Sequence, residues 1–212
     1  MRIIARFSAL ICAIAVGTAL ASSGSGVAAD AATTQHVVLA GGCFWGMEAV
    51  FDDLKGVTNV VSGYSGGARS TAHYEMVSTG ETGHAESVDV TYDPSKITFG
   101  QLLSVYFLVA HDPTELNRQG PDTGTQYRSA IFYTSDDQKQ TAQAFIRHLE
   151  QAKIIDGQIV TQVVPLQAFY PAEDYHQHFV ARNPTYPYVV INDLPKLARL
   201  RERYPELVKT NS

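Results

Sequence analysis

The order in which strand-like and helix-like patterns follow one another constrains the fold of this chain more than any other feature. Four short β-branched or alternating runs predict strands, at residues 36–40, 57–64, 86–92 and 129–133. Apolar residues at helical spacing predict one helix from about Cys43 and a second at residues 102–110. The order strand, helix, strand, strand, helix, strand is that of the ferredoxin-like split β-α-β arrangement. We therefore predict an α+β fold, a two-layer sandwich with helices on one face of a mixed sheet.

Capping residues and further periodic segments extend this core. The S/T-x-x-Q pattern of a capping box, which caps the N-terminus of a helix, occurs twice: at Thr98 with Gln101 and at Ser135 with Gln138. The second pair predicts a helix that runs to about residue 153. Beyond the fourth strand, an extended segment at 160–169 and a short helix at 195–203 predict a C-terminal extension.

The first 29 residues are typical of a secretory signal peptide. Arg2 and Arg6 precede an apolar run at 9–21, and a stretch of small residues ends at Ala29. The apolar run is short for a membrane span, so we predict cleavage after Ala29, with Ala21 as the alternative site. An uncleaved N-terminal anchor is the competing prediction.

Cleavage after residue 29 would leave one catalytic domain at residues 30–212, with its core at 37–187. We expect this mature chain to be exported, either to the periplasm or into the medium. We also expect it to be a monomer without stable membrane association.

Composition excludes several classes of protein. Two cysteines rule out a disulfide-dense miniprotein, and a hydrophobic fraction of 45% rules out a disordered chain. The net charge of −5, which becomes −7 without Arg2 and Arg6, argues against a nucleic-acid partner. Because Cys12 lies in the signal peptide, Cys43 is the one cysteine expected in the mature chain.

Cys43 stands where a predicted strand turns into a predicted helix. Gly41 and Gly42 allow a tight turn, which places the thiol at the helix N-terminus. Unpaired N–H groups and the helix dipole favour a thiolate there, so the position predicts a lowered pKa and a nucleophilic cysteine. The alternative is a small buried hydrophobic residue.

Two long polar loops, at residues 65–85 and 111–128, are candidates for functional segments. The first leads into Glu86, which shares one face of the predicted third strand with Val88 and Val90. A carboxyl group on that apolar face stays protonated to higher pH, as a general acid requires. The alternative is a solvated carboxylate at the edge of the strand.

Several segments resemble the signature segments of the A-class peptide methionine sulfoxide reductases, over residues 37–187. They are GCFWG at 42–46, TGHAE at 82–86, GPD at 120–122, GTQYRS at 124–129 and FYPAEDYHQ at 169–177. The resemblance implies thiol-dependent reduction of methionine-S-sulfoxide, peptide-bound or free, to methionine. The reaction would pass through a Cys43 sulfenic acid and repair oxidised proteins.

The resemblance also implies roles for individual residues. Glu86 would be the acid that protonates the sulfoxide oxygen, and Tyr74 and Tyr127 would donate hydrogen bonds to that oxygen. Asp122 would shape the site. Phe44 and Trp45 would form the apolar wall that receives the S-methyl group, and the alternative for Trp45 is a plain core residue.

No cysteine follows Cys43, although many relatives carry further cysteines that capture the sulfenic acid. We therefore expect an external thiol to recycle the enzyme: thioredoxin, glutaredoxin, glutathione or dithiothreitol. No organic cofactor is indicated, and a metal site at His176 and His178 is a minor alternative. Another cysteine-based redox enzyme, such as a thiol peroxidase, and a non-enzymatic redox sensor remain the rival predictions.

Overall fold

The structure is a computed structural model, and it describes residues 34–210. The predicted signal peptide and Cys12 therefore lie outside the described residues. Within residues 34–210, no helix combines the length and the apolar character needed to cross a membrane.

The strands and helices follow the predicted order, with additions in the loops and at the C-terminal end. The strands are β1 (Gln35–Ala40), β2 (Val57–Ser65), β3 (Ala85–Tyr92), β4 (Arg118–Gln119), β5 (Asp122–Thr123), β6 (Ala130–Tyr133), β7 (Gln162–Pro165) and β8 (Phe169–Pro171). The α-helices are α1 (Phe44–Asp52), α2 (Tyr74–Val77), α3 (Phe99–Val105), α4 (Asp136–Gln151), α5 (Phe179–Arg182) and α6 (Leu194–Arg203). Two π-helical segments, Tyr106–Ala110 and Val189–Asp193, adjoin α3 and α6.

The main sheet has six strands in the order β7-β6-β1-β3-β2-β8. Its four central strands, β6-β1-β3-β2, are antiparallel and give the split β-α-β order, while β7 pairs with β6 in parallel. The predicted α+β fold with a mixed sheet is therefore confirmed. The main core lies between the sheet and helices α1, α3, α4 and α6.

The predicted extended segment at 160–169 is not one element, because it divides into β7 and the beginning of β8 at opposite edges of the sheet. Four Cα steps from Pro165 to Phe169 span at most about 15 Å. Five strand spacings in a flat sheet would need about 24 Å. The sheet is therefore curled, so that its two edges approach one another around a second, smaller apolar cluster that includes Val38 and Phe132.

The two predicted capping boxes differ in the structure. At α3 both halves form: the Thr98 hydroxyl accepts from the Gln101 N–H at 3.2 Å, and the Gln101 side chain accepts from the Thr98 N–H at 2.9 Å. At α4 the Ser135 hydroxyl accepts from the Gln138 N–H at 3.2 Å. The Gln138 side chain accepts instead from the N–H of Thr134, so the second box is only half formed.

Candidate active site

Cys43 is the N-cap residue of α1, one residue after the turn that ends β1. The turn depends on Gly42, whose φ is +91°, a conformation that side chains disfavour. A Cβ at this position would also lie 2.5 Å from Cγ of Gln119. The prediction that paired glycines place the thiol at the helix N-terminus is confirmed.

The predicted lowering of the Cys43 pKa is wrong. Burial raises the pKa of the thiol well above its usual value, and the carboxyl groups of Glu86 and Asp193 raise it further. The Trp45 backbone N–H and the Lys196 ammonium act in the opposite direction but do not overcome burial. The helix N-terminus is present, yet only 8% of Cys43 is exposed, and the cost of desolvating a thiolate exceeds what the helix end supplies.

Glu86 lies on β3, buried against the N-terminus of α1. Its carboxyl group accepts a hydrogen bond from the Phe44 N–H at 3.1 Å, and 2% of the residue is exposed. Burial raises the pKa of Glu86 to about 8, with a smaller contribution from the charge of Asp122. The prediction of a buried carboxyl that stays protonated to higher pH is confirmed, and Glu86 is largely protonated at pH 7.

The two long loops bring the other predicted residues to the same cavity. The first loop contains α2, which begins at Tyr74, and the second contains β5 and a 3₁₀ turn, Thr125–Tyr127, that hold Asp122 and Tyr127. The cavity has a volume of about 190 Å³. It is lined by Cys43, Phe44, Trp45, Tyr74, Glu86, Asp122, Tyr127, Tyr186 and Tyr188. All seven residues singled out from the sequence therefore meet here.

The tyrosines of this cavity keep their protons. Burial raises the pKa of Tyr74 to about 12 and moves that of Tyr127 higher still, and the neighbouring Glu86 charge acts in the same direction on both. Each phenol is therefore a hydrogen-bond donor over the physiological pH range. Burial also raises the pKa of Asp122, whose carboxyl group accepts a hydrogen bond from the Tyr188 hydroxyl.

Trp45 belongs to an aromatic wall rather than to the closed core. Its indole ring stacks on Phe179, with ring centroids 3.7 Å apart. Tyr186 and Tyr188 lie edge-on to the indole, with centroid separations of 6.2 and 5.9 Å. The indole N–H donates to Nδ1 of His176 at 3.0 Å. The ring is thereby fixed in one orientation at the side of the cavity.

Sequence reasoning missed two residues that position the site. Tyr188 lies one residue beyond the region of resemblance, which ends at residue 187, and the two tyrosines at 186 and 188 were the available signal. Glu173 lies within a recognised segment but received no role. Its carboxylate accepts from the Tyr64 hydroxyl at 2.8 Å and from the Tyr74 N–H at 3.0 Å, so it fixes the start of α2.

The two histidines considered as metal ligands have other partners. His176 accepts from the Trp45 indole, and the backbone N–H of His178 donates to Glu48 at 2.7 Å. Among residues 34–210, no three histidine, cysteine or carboxylate side chains are grouped closely enough to hold a metal ion.

Comparison with known proteins gives one family over nearly all of the described residues. The family model of peptide methionine sulfoxide reductase matches residues 35–207. Peptide methionine sulfoxide reductase MsrA 2 of Mesorhizobium japonicum is 59% identical over 82% of this chain and 89% of its own length. The MsrA 2 protein of Synechocystis sp. is 51% identical over 94% of this chain and 99% of its own length.

Solved structures give the same result for the fold. Mxr1 from Saccharomyces cerevisiae in reduced form has a TM-score of 0.67 and 35% identity, covering 74% of this chain and 90% of its own. Methionine sulfoxide reductase A of Corynebacterium diphtheriae has a TM-score of 0.64 and 37% identity, covering 72% of this chain and 76% of its own.

Proposed function

The chain belongs to the peptide methionine sulfoxide reductases, and we propose that Cys43 and Glu86 carry out the reaction of that family. The enzyme is an oxidoreductase that reduces methionine-S-sulfoxide, peptide-bound or free, with electrons from thiols. The observation that supports the assignment is the shared cavity, which holds the Cys43 thiol together with a carboxyl group that is protonated at pH 7.

In the proposed first step, the sulfur of Cys43 attacks the sulfur of the sulfoxide. Glu86 gives its proton to the sulfoxide oxygen, which becomes strongly basic as the new bond forms. The oxygen then moves from the methionine sulfur to the Cys43 sulfur, as the S–O bond of the substrate and the new S–S bond break. Methionine leaves with a reduced sulfur, and Cys43 becomes a sulfenic acid. The proton of the Cys43 thiol replaces the one that Glu86 donated, so atoms and charge balance within the site.

The other residues of the cavity orient the sulfoxide. Tyr74 and Tyr127 remain phenols and donate hydrogen bonds to the oxygen that Glu86 protonates. Asp122 accepts a hydrogen bond from the Tyr188 hydroxyl and thereby fixes the position of Tyr188 in the wall of the cavity. Phe44 and Trp45 provide the apolar wall for the S-methyl group, because thioether sulfur and methyl groups pack well against aromatic faces.

A single-epimer assay tests this proposal. A peptide that contains both sulfoxide epimers is incubated with the enzyme and dithiothreitol, and epimer loss is followed by chromatography with mass spectrometry. The S epimer should disappear, the R epimer should remain, and Cys43→Ser should abolish the reaction. Survival of both epimers at high enzyme concentration would reject the assignment. A thiol peroxidase or a redox sensor would give that negative result.

Recycling by an external thiol is the second part of the proposal. No cysteine follows Cys43 in the sequence, so an intramolecular disulfide with a later residue is impossible. A thioredoxin-like or glutaredoxin-like protein, glutathione or dithiothreitol would attack the sulfenic acid instead. Intact mass after one equivalent of methionine sulfoxide should show a gain of one oxygen; a loss of two hydrogens from the monomer would contradict this route.

Export of the enzyme is proposed from the first 29 residues alone. Their pattern is that of a signal peptide, and the mature chain would act as a monomer outside the cytoplasm on oxidised proteins. Sequencing the N-terminus of the natural protein should give a start at Asp30 or Ser22. A chain that begins at Met1 or Arg2 would instead support the uncleaved anchor.

A further inference from the structure

A second cavity, larger than the one described above, also reaches Cys43. Its volume is about 380 Å³, within the usual range for small-molecule sites. We call it the α6 cavity, because Pro195, Lys196 and Arg199 of α6 form one of its walls. Cys43, Asp122 and Tyr188 line both cavities, so the Asp122–Tyr188 hydrogen bond lies between the two spaces that meet at the sulfur.

The α6 cavity contains none of the groups that handle the sulfoxide oxygen. Glu86, Tyr74 and Tyr127 line only the smaller cavity. The α6 cavity has instead an apolar part, with Val109 and Ile191, and two cationic side chains from α6. Its chemistry therefore fits a ligand other than the sulfoxide group.

Arg199 is the cation of this cavity that is available to a ligand. Its guanidinium donates one hydrogen bond, to the Val109 carbonyl at 3.3 Å, and within residues 34–210 it is paired with no carboxylate. The second cation, Lys196, lies 3.5 Å from the buried Asp193 carboxylate, which offsets its charge. Arg199 is exposed and keeps further N–H donors in a planar arrangement that matches a carboxylate.

The carboxylates that line the cavity are already engaged. Asp112 accepts hydrogen bonds from the N–H and the hydroxyl of Thr114, at 2.9 and 2.6 Å. Asp122 accepts from the Tyr188 hydroxyl. These donors are neutral and leave both negative charges in place. Arg199, which has no carboxylate partner within residues 34–210, is therefore the group of this cavity that would bind an anion.

We propose that the α6 cavity binds a small thiol that carries a carboxylate, and that this thiol reduces the Cys43 sulfenic acid. The proposal rests on the function given above, which leaves an oxidised Cys43 with no cysteine after it in the chain. The carboxylate binds Arg199, and the thiol approaches the sulfur from the α6 cavity. The sulfoxide substrate and the reducing thiol would thus reach the Cys43 sulfur from two different cavities.

Two thiol molecules complete the cycle. The thiolate of the first attacks the Cys43 sulfur, the S–O bond breaks, and the oxygen leaves as water after taking up the proton of the incoming thiol. A mixed disulfide with Cys43 remains. The second thiol attacks the small-molecule sulfur of that disulfide, so that Cys43 is released and regains a proton while two thiols are oxidised to one disulfide.

The test measures how charge on the thiol affects its reaction with oxidised Cys43. Full-length enzyme is oxidised with one equivalent of methionine-S-sulfoxide and mixed with 3-mercaptopropionate, 2-mercaptoethanol or cysteamine, which are anionic, neutral and cationic. Mass spectrometry of quenched samples gives the rate constant for the mixed disulfide. Each thiol is compared between variants, because intrinsic thiol reactivity then cancels.

Arg199→Gln should lower the rate constant for 3-mercaptopropionate by about fivefold, the effect of one unit charge at about 4 Å in water. The rate constant for 2-mercaptoethanol should change by less than twofold. Arg199→Glu should reverse the order, so that cysteamine becomes the faster of the two charged thiols, and Arg199→Lys should retain most of the wild-type preference. Arg203→Gln, on the same helix beside the Tyr204 ring, is the matched control and should leave all three rates unchanged.

Equal loss of all three rates in Arg199→Gln, or no loss in any, would overturn the proposal. An equal effect of Arg203→Gln would also overturn it, because the charge of the helix as a whole would then explain the preference. If no sulfenic acid forms with the sulfoxide in the wild type, the proposed function itself fails. The two failures are therefore distinguishable.

Discussion

Replacing Glu86 by Gln separates the role of this residue in catalysis from its effect on stability. The amide keeps an acceptor for the Phe44 N–H and the volume of the side chain, but it has no transferable proton. Loss of a general acid lowers a rate by about 10²–10⁴-fold. We expect a loss of this size in the rate of the first step, measured in a single turnover as methionine formed per enzyme at pH 7, with partial relief at lower pH.

The same substitution should stabilise the protein at high pH. Burial raises the pKa of Glu86 from 4.5 to about 8, so between these values the unfolded chain loses a proton that the native state keeps. The contribution of the wild-type carboxyl to stability is therefore complete below pH 4.5 and is lost as the pH rises to 8. The loss amounts to about 5 kcal/mol as an order of magnitude, and Glu86→Gln avoids it.

Urea unfolding of both proteins from pH 4 to pH 9 measures this difference. The free energy of unfolding of Glu86→Gln, relative to that of the wild type, should rise between pH 4.5 and pH 8 and level off on either side. Asp89→Asn, on the same strand but partly exposed and paired with His36, is the control and should show a much smaller change. An unchanged single-turnover rate would remove Glu86 from the mechanism, and parallel stability curves would refute its raised pKa.

Three further perturbations follow from the site. Asp193→Asn should lower the Cys43 pKa, because it removes a charge that raises it, and the pH dependence of iodoacetamide alkylation measures the change. Gly42→Ala should destabilise the fold by about 2 kcal/mol, from its φ of +91° and the crowding against Gln119, as measured by urea unfolding. Glu173→Ala should leave the Tyr64 hydroxyl and the Tyr74 N–H without their partner and lower kcat more than it raises KM, as steady-state kinetics would show.

Local sequence rules predicted the parts of this site that local structure determines. The strand, the glycine pair and the helical spacing placed Cys43 at the start of α1, and the alternation of β3 placed Glu86 on the face that meets it. Both inferences needed only neighbouring residues, because turn geometry and strand parity are short-range properties.

The Cys43 pKa could not be predicted in that way. This pKa depends on burial and on the charge of Asp193, a residue 150 positions later in the chain. The Asp193 side chain packs so closely against Gly46 of α1 that a Cβ on residue 46 would have no room. The curl of the sheet also depends on long-range contacts. In the sequence pattern β7 and β8 form one extended run, and only their pairing with β6 and β2 places them at opposite edges of the sheet. Long-range packing decided each of these features.

The raised pKa values of Cys43 and Glu86 have a common consequence for the chemistry. Burial is the main cause of both shifts, and a charged Glu86 raises the Cys43 pKa further, so both groups hold their protons near pH 7. Sulfoxide reduction consumes one thiol and leaves one S–OH group, and it therefore needs no proton from solvent if both groups begin protonated. A neutral thiol is also a poor nucleophile toward other electrophiles. In the proposed first step, the sulfoxide oxygen takes the Glu86 proton as the sulfur of Cys43 attacks, and the carboxylate left behind accepts the proton of Cys43. A free thiolate need not form before the substrate is bound. Burial, which works against the helix end in the resting enzyme, thus makes activation of the thiol depend on the bound substrate.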